Sequence, residues 1–258
     1  MKQKISKFKD AILNLIYPSG IKCMFCTGEL NQNAYNFTCE NCLETVPFIK
    51  NPCERCGSPM NENQKGVCLT CKSRNYNFIQ AKSIFEYNSE PLIVVHNLKY
   101  NGKKYLVEPM VKYLADAYAT WNVFADVITC VPMFETKQKA RGYNQSKLLA
   151  EKLAEVIKVP FYELCSKVVD TTSQTELGTK ERLENIKDSF AFKKELKNIV
   201  KDKVVLIIDD VITTGATTSE ISKVLVKAGA KECYVLSFAH TKLTQLQFEE
   251  LGSVDVKD

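Results

Sequence analysis

A chain of 258 residues with 45% hydrophobic and 25% charged residues has an ordinary globular composition and length enough for one or two domains. No apolar run approaches the roughly 20 residues that a membrane-crossing helix needs, which excludes a helical membrane protein. The net charge of +5 is too mild to mark a nucleic-acid binder by itself, so the placement of the cations matters more than their number.

In chain order, residues 5–17 place Ile5, Phe8, Ile12, Leu13 and Ile16 at near-helical spacing, and Pro18 and Gly20 close the segment. An amphipathic helix is expected within residues 1–20. The basic opening has neither the long apolar core nor the small-residue cleavage site of a secretory leader, so a cytoplasmic protein is expected. Residues 21–75 are rich in Cys, Gly and Pro, with little periodicity, as in small modules where a metal replaces a core. From about residue 80 the texture changes. KSIFEY reads as a strand, and PLIVVHNLKY leads into a basic NGKK loop. EPMVKYLADAYATW is helical, DVITCVP a buried strand, YNQSKLLAEKLAEVIK a helix. KVVLIIDD is the strongest strand, TTSEISKVLVKAGA a helix closed at Gly229, and KECYVLSFAHT a further strand. This alternation predicts an α/β domain over 80–245 with a largely parallel sheet flanked by helices, then a tail over 246–258.

Eight of the 11 cysteines lie between Cys23 and Cys71, as four CxxC pairs: Cys23/Cys26, Cys39/Cys42, Cys53/Cys56 and Cys68/Cys71. A CxxC turn aims two thiolates at one ion, and two such turns complete a tetrahedral zinc site. Redox or unpaired thiols would not need the repeated spacing. Two readings are open: sequential ribbons, Cys23–Cys42 and Cys53–Cys71, or a cross-braced pair, and one site could have lost its metal. Four thiolates leave no open position, so the zinc is expected to be structural, in a double ribbon stabilised separately from the α/β domain. Cys130, Cys165 and Cys233 fit buried thiols without a task. His96 and His240 stand outside any motif, which suits packed or surface roles.

The most informative stretch runs from Val204 to Thr218. An apolar strand ends in Asp209 and Asp210, and a turn of Thr213, Thr214, Gly215, Ala216 and Thr217 opens a helix. Backbone N–H groups and hydroxyls at a helix start suit a phosphate. Paired carboxylates do not, but they fit neighbouring ribose hydroxyls, directly or through Mg²⁺. A merely capped helix would call for neither the paired acids nor the Thr/Gly run.

This stretch resembles the phosphoribosyl-pyrophosphate (PRPP) loop of type I phosphoribosyltransferases. The resemblance implies that Thr213 to Thr217 cradle the 5-phosphate and that Asp209 and Asp210 hold the ribose. It also implies a pyrophosphate loop over Val131–Arg141, after the strand Asp126–Pro132, and a closing loop over 165–188. Three further features join the double ribbon: Leu98-Lys99-Tyr100 with Gly102 and Lys103; Arg141-Gly142-Tyr143-Asn144-Gln145-Ser146; and Thr171 to Phe190 with Gln174, Leu177, Arg182, Asn185 and Phe190. Together they span about residues 20–240, and the chain resembles the ComF family of DNA-uptake proteins. That resemblance implies a role in natural transformation: handling incoming single-stranded DNA in the cytoplasm, with a competence helicase as partner and any membrane association arising through the uptake complex. A metabolic phosphoribosyltransferase of nucleotide synthesis or salvage, transferring phosphoribose from PRPP to an unidentified acceptor, is the other reading.

If transfer occurs, it passes through an oxocarbenium-like state. The residues implied to carry it are Asp209, Asp210, Arg141 and Arg182. Lys99, Lys103, Lys137 and Lys139 join the two arginines as candidate cations for pyrophosphate, and Lys99 is assigned with the loop residues to PRPP. Residues 137–147 hold basic side chains, no acid, and Tyr143. Cations there could track a DNA backbone and the aromatic could stack a base; pyrophosphate binding at a solvated helix start explains the same residues. No nucleobase-reading motif is evident.

Overall fold

The computed structural model describes residues 22–169 and 186–242. Its strands are β1 (Gln80–Glu86), β2 (Val127–Cys130), β3 (Cys165–Lys167), β4 (Phe190–Phe192), β5 (Val204–Ile212) and β6 (Glu232–His240). Four form one sheet in the order β1-β6-β5-β2, every pairing parallel. The central strand explains why. Val205, Leu206, Ile207 and Ile208 are all fully buried, and a continuous apolar run suits a parallel strand covered on both faces. Successive side chains point to opposite faces. Val205 and Ile207 pack in one cluster with Ile221 and Leu225 of helix α8 (Ala216–Ala228). Leu206 and Ile208 point to the other face, where the sheet meets α4 (Val107–Ala119) and α6 (Gln145–Ile157).

The remaining described helices are α1 (Glu40–Thr45), α2 (Leu69–Ser73), α3 (Ser89–Tyr100), α5 (Glu135–Arg141) and the single turn α7 (Lys197–Val200). α3 occupies the apolar run read as a lead-in to a loop, burying Val94, Val95 and Leu98. β3 and β4 pair antiparallel, so the first three residues of the closing loop expected over 165–188 are a strand, laddered to one that follows the loop. The expected helix within 1–20, the tail over 246–258 and residues 170–185, including Gln174, Leu177, Arg182 and Asn185, lie outside the described residues. Among the described residues, no helix is long and apolar enough to cross a membrane.

Compactness divides the chain between Val46 and Pro47, whereas the sequence reading grouped all of 21–75. The second cysteine group therefore shares a unit with the sheet. Cys53, Cys56, Met60 and Cys71 belong to the same buried cluster as Phe78, Ile207 and Val235. The Arg55 carbonyl accepts from Ala81 N at 2.7 Å, and the Glu54 carbonyl from Gln80 Nε2 at 2.8 Å. Gly57, at φ +71°, lies against β1 so closely that a Cβ would fall 2.8 Å from the Ala81 carbonyl oxygen. This ribbon is therefore not stabilised apart from the α/β domain. A knuckle this small has few apolar side chains of its own and borrows the sheet's.

Candidate functional site

The eight paired cysteines come together as two groups, Cys23/Cys26/Cys39/Cys42 and Cys53/Cys56/Cys68/Cys71, with the sulfurs of each group within 4.8 Å of one another. The grouping is sequential, not cross-braced. Cys26 and Cys39 sulfurs are 3.6 Å apart; Cys53–Cys71 and Cys56–Cys68 are each 3.7 Å apart. A tetrahedron with Zn–S bonds of about 2.3 Å has edges of about 3.8 Å, so both groups fit Zn²⁺. Cys130, Cys165 and Cys233 are buried. Burial pushes all three thiols up, the last two to about 12, which leaves them protonated and unreactive.

The candidate site is a cleft of about 800 Å³ at the carboxyl ends of β2 and β5, where parallel sheets present ligands to loops. Asp209 and Asp210 end the buried run of β5. Asp209 Oδ1 accepts from Ser146 Oγ at 2.8 Å and from the Asp210 backbone N–H at 2.9 Å. Burial, and then the adjacent Asp210 carboxylate, push Asp209 up to about 8, against the opposing pull of Lys99. Asp210 Oδ2 lies 2.6 Å from Lys99 Nζ on α3. Burial acts to lower the Lys99 ammonium, but Asp210 outweighs it and the group is raised on balance. Lys99 is thus held on Asp210 rather than extended towards an anion.

Thr213 and Thr217 face the cleft, while Thr214 is buried and its hydroxyl is turned to Ala216 N. Gly215, at φ +73°, carries the chain into α8 in the left-handed region where glycine is favoured. A Cβ there would meet the Tyr76 ring at 3.0 Å. The Tyr76 hydroxyl donates to the Thr214 carbonyl at 2.8 Å. Tyr76 was not singled out in the sequence, because it lies in the stretch between the last CxxC and β1.

The Arg141–Ser146 motif is mostly internal bracing. Asn144 caps α6, accepting from Ser146 N at 3.0 Å and Lys147 N at 3.4 Å, and donates to the Val131 carbonyl at 2.9 Å. Ser146 fixes Asp209. Gln145 accepts from Arg141 Nη1 at 2.6 Å. Tyr143 corrects the sequence reading: it is buried, its hydroxyl donates to the Leu98 carbonyl, and Lys104 lies over its ring at 4.6 Å. Little of the ring is left exposed to a base. Tyr100 nearby is exposed, but Arg141 lies over its ring at 4.9 Å.

Among the candidate cations, Lys99, Lys137 and Arg141 line the cleft, joined by Lys167, which the sequence reading did not select. Lys139 is exposed and paired with Glu135, one turn back on α5. Neither Lys103 nor Lys139 is part of the lining. His240 is buried, its Nδ1 2.8 Å from the Thr241 carbonyl, and burial drives it down to about 4. His96 packs against the Tyr100 ring.

Comparison with known proteins agrees with this layout. A double zinc ribbon domain family matches residues 12–72, and a phosphoribosyl transferase domain family matches residues 144–247. Competence protein F of Haemophilus influenzae is 29% identical over 84% of this chain and 96% of its own length. Competence protein ComFC of Streptococcus pneumoniae is 24% identical over 84% and 99%. Over most of its length the chain resembles the competence proteins of the ComF family. DNA utilization protein YhgH of Escherichia coli K12 is 26% identical over 79% of the chain and 90% of its own length. Among solved structures, a purine phosphoribosyltransferase from Pyrococcus horikoshii is 20% identical, with a TM-score of 0.32, covering 54% of this chain and 77% of that one. Residues 73–143, between the two matched families, carry Tyr76, Lys99 and the Val131–Arg141 loop.

Proposed function

We propose that the cleft binds PRPP with Mg²⁺ and that the protein serves DNA uptake, handling single-stranded DNA through the same domain. The observation that carries the reading is the juxtaposition of Asp209 and Asp210 with the Thr213–Thr217 turn at one end of β5. Names of the similar proteins, competence and DNA utilization, support the role in uptake, for which a competence helicase is the expected protein partner.

The chain's own residues divide the task. Backbone N–H groups at the start of α8, with Thr213 and Thr217, suit the 5-phosphate. Asp210 exchanges Lys99 for the ribose, freeing a cation beside Lys137 and Arg141 for pyrophosphate. Asp209 gives up its proton on binding, while Ser146 holds its orientation. Mg²⁺, a hard cation, suits carboxylate and phosphate oxygens together. DNA would follow Lys137, Lys139 and Arg141, so the two polyanions share cations and oppose each other reciprocally.

Fluorescence anisotropy with a labelled oligonucleotide across a salt series, with and without PRPP–Mg²⁺, tests this. Binding should be salt-sensitive, indifferent to sequence, weakened by PRPP and lost when Lys137, Lys139 and Arg141 are changed to Ala. No binding at low salt, together with pyrophosphate release in a panel of nucleobases, would favour the metabolic transferase instead.

A further inference from the structure

We propose that the second cysteine group positions the phosphate loop through Arg55 and Tyr76, so that metal held by Cys53, Cys56, Cys68 and Cys71 is coupled to phosphate binding at Thr213–Thr217. The phosphate half of this statement rests on the PRPP reading; the positioning half does not.

The contacts form an unbroken chain. Arg55 lies inside the knuckle, between Cys53 and Cys56, so its backbone conformation is set by the turn that brings those two sulfurs together. Its Nη2 donates to the Tyr76 carbonyl at 2.9 Å, and its carbonyl is tied to β1 through Ala81 N. Tyr76 is buried and stacked on Phe78, with ring centroids 4.7 Å apart. From there its hydroxyl reaches the Thr214 carbonyl, and its ring fills the space that a side chain at Gly215 would need. The next residue continues the lacing: Asn77 N and Nδ2 both donate to Ser219 Oγ, each at 3.0 Å, on the first turn of α8.

Thr214 is the middle of a turn whose N–H groups must all point one way to receive a phosphate. Holding its carbonyl from behind fixes the peptide plane, which aims the following N–H into the turn. A rigid, preorganised donor set binds without first losing that freedom. Tyr76 is therefore a positioning residue: it does not face the cleft, and it acts through the loop that does. If the ribbon's metal fixes Arg55 and Tyr76, a ligand at the loop must in turn stabilise the ribbon, because coupling free energies are reciprocal.

The test uses the full chain and Tyr76→Phe, which keeps the ring and deletes one hydrogen bond. A neutral hydrogen bond contributes about 1 kcal/mol, or about fivefold. Hydrogen exchange of the ligand-free proteins, read at residues 213–219, should be about fivefold faster in Y76F, with zinc content unchanged. Unchanged exchange there would overturn the positioning role, whether or not PRPP binds. Peptide-resolved alkylation of Cys53–Cys71 in the presence of a chelator then reads the coupling. PRPP–Mg²⁺ should slow it about fivefold more in wild type than in Y76F, both proteins being saturated. Equal protection in the two would show general stabilisation by ligand and overturn the coupling. If wild type binds no PRPP, the coupling falls with the PRPP reading, and the exchange experiment alone decides the positioning role.

Discussion

Replacing Lys99 by Met tests the electrostatic logic of the cleft. Lys99 Nζ and Asp210 Oδ2 are 2.6 Å apart, with the lysine side chain 19% exposed and the aspartate 3%. At an effective dielectric of about 20, their attraction is about 6 kcal/mol, much of it offset by the desolvation of two charges. Net stabilisation by the intact pair is therefore small, but deletion of the lysine alone strands Asp210 beside Asp209 in a buried site. Breaking a buried pair from one side costs about 3–5 kcal/mol, so K99M should lose about 3 kcal/mol. Asp210→Asn should lose less, since the partly exposed ammonium can turn to water. The double variant K99M/D210N should return close to wild type, which makes the coupling at least about 3 kcal/mol, the two single losses together. Urea denaturation of the four proteins at pH 7, with equal m-values, supplies the cycle. A loss below 1 kcal/mol in K99M, or additive losses, would refute the claim that the acid pair is buried at a cost that Lys99 offsets.

Three further outcomes are expected. Asp209→Asn keeps the oxygen that accepts from Ser146 and Asp210 N and removes the buried charge. An acid raised to about 8 contributes stability that is lost as pH climbs from its ordinary range through 8, so D209N should melt a few degrees higher than wild type at pH 8 and flatten that slope in calorimetry, while PRPP binding disappears. His240, driven to about 4 from its ordinary 6.5, protonates first in the unfolded chain. Stability is then complete above about 6.5 and falls by about 3 kcal/mol as pH drops to 4, a loss that His240→Gln should blunt in acid denaturation curves. Metal analysis should find one or two zinc ions per chain, and Cys53→Ser should lower the melting temperature of the whole sheet-bearing unit; a melt unchanged by C53S would contradict the shared core.

What the sequence made legible was whatever is written locally. β5 is a continuous apolar run closed by two acids, and the cysteines repeat at a fixed spacing, so both could be read along the chain. Roles fixed by distant partners could not. Tyr76 finds Thr214 across 138 positions, Ser146 finds Asp209 across 63, and Tyr143 finds Leu98 across 45. From its neighbours alone, Tyr143 in a basic stretch looks like a stacking ring; only the packing of α3 shows that it is buried. β3 and β4, at three residues each, are too short for alternation to show. The second ribbon's place in the sheet's core depends on Gly57 meeting β1, a contact that Cys spacing does not record.

The measurement that bears most directly on the account is calorimetric titration of PRPP with Mg²⁺ into wild type and into the variant with Asp209 and Asp210 both changed to Ala. Saturable one-site binding by wild type, abolished in the variant while its melt stays cooperative, is the predicted result. Equal affinity in the two proteins would contradict it, leaving the Thr213–Thr217 turn as an inherited architecture without its ligand.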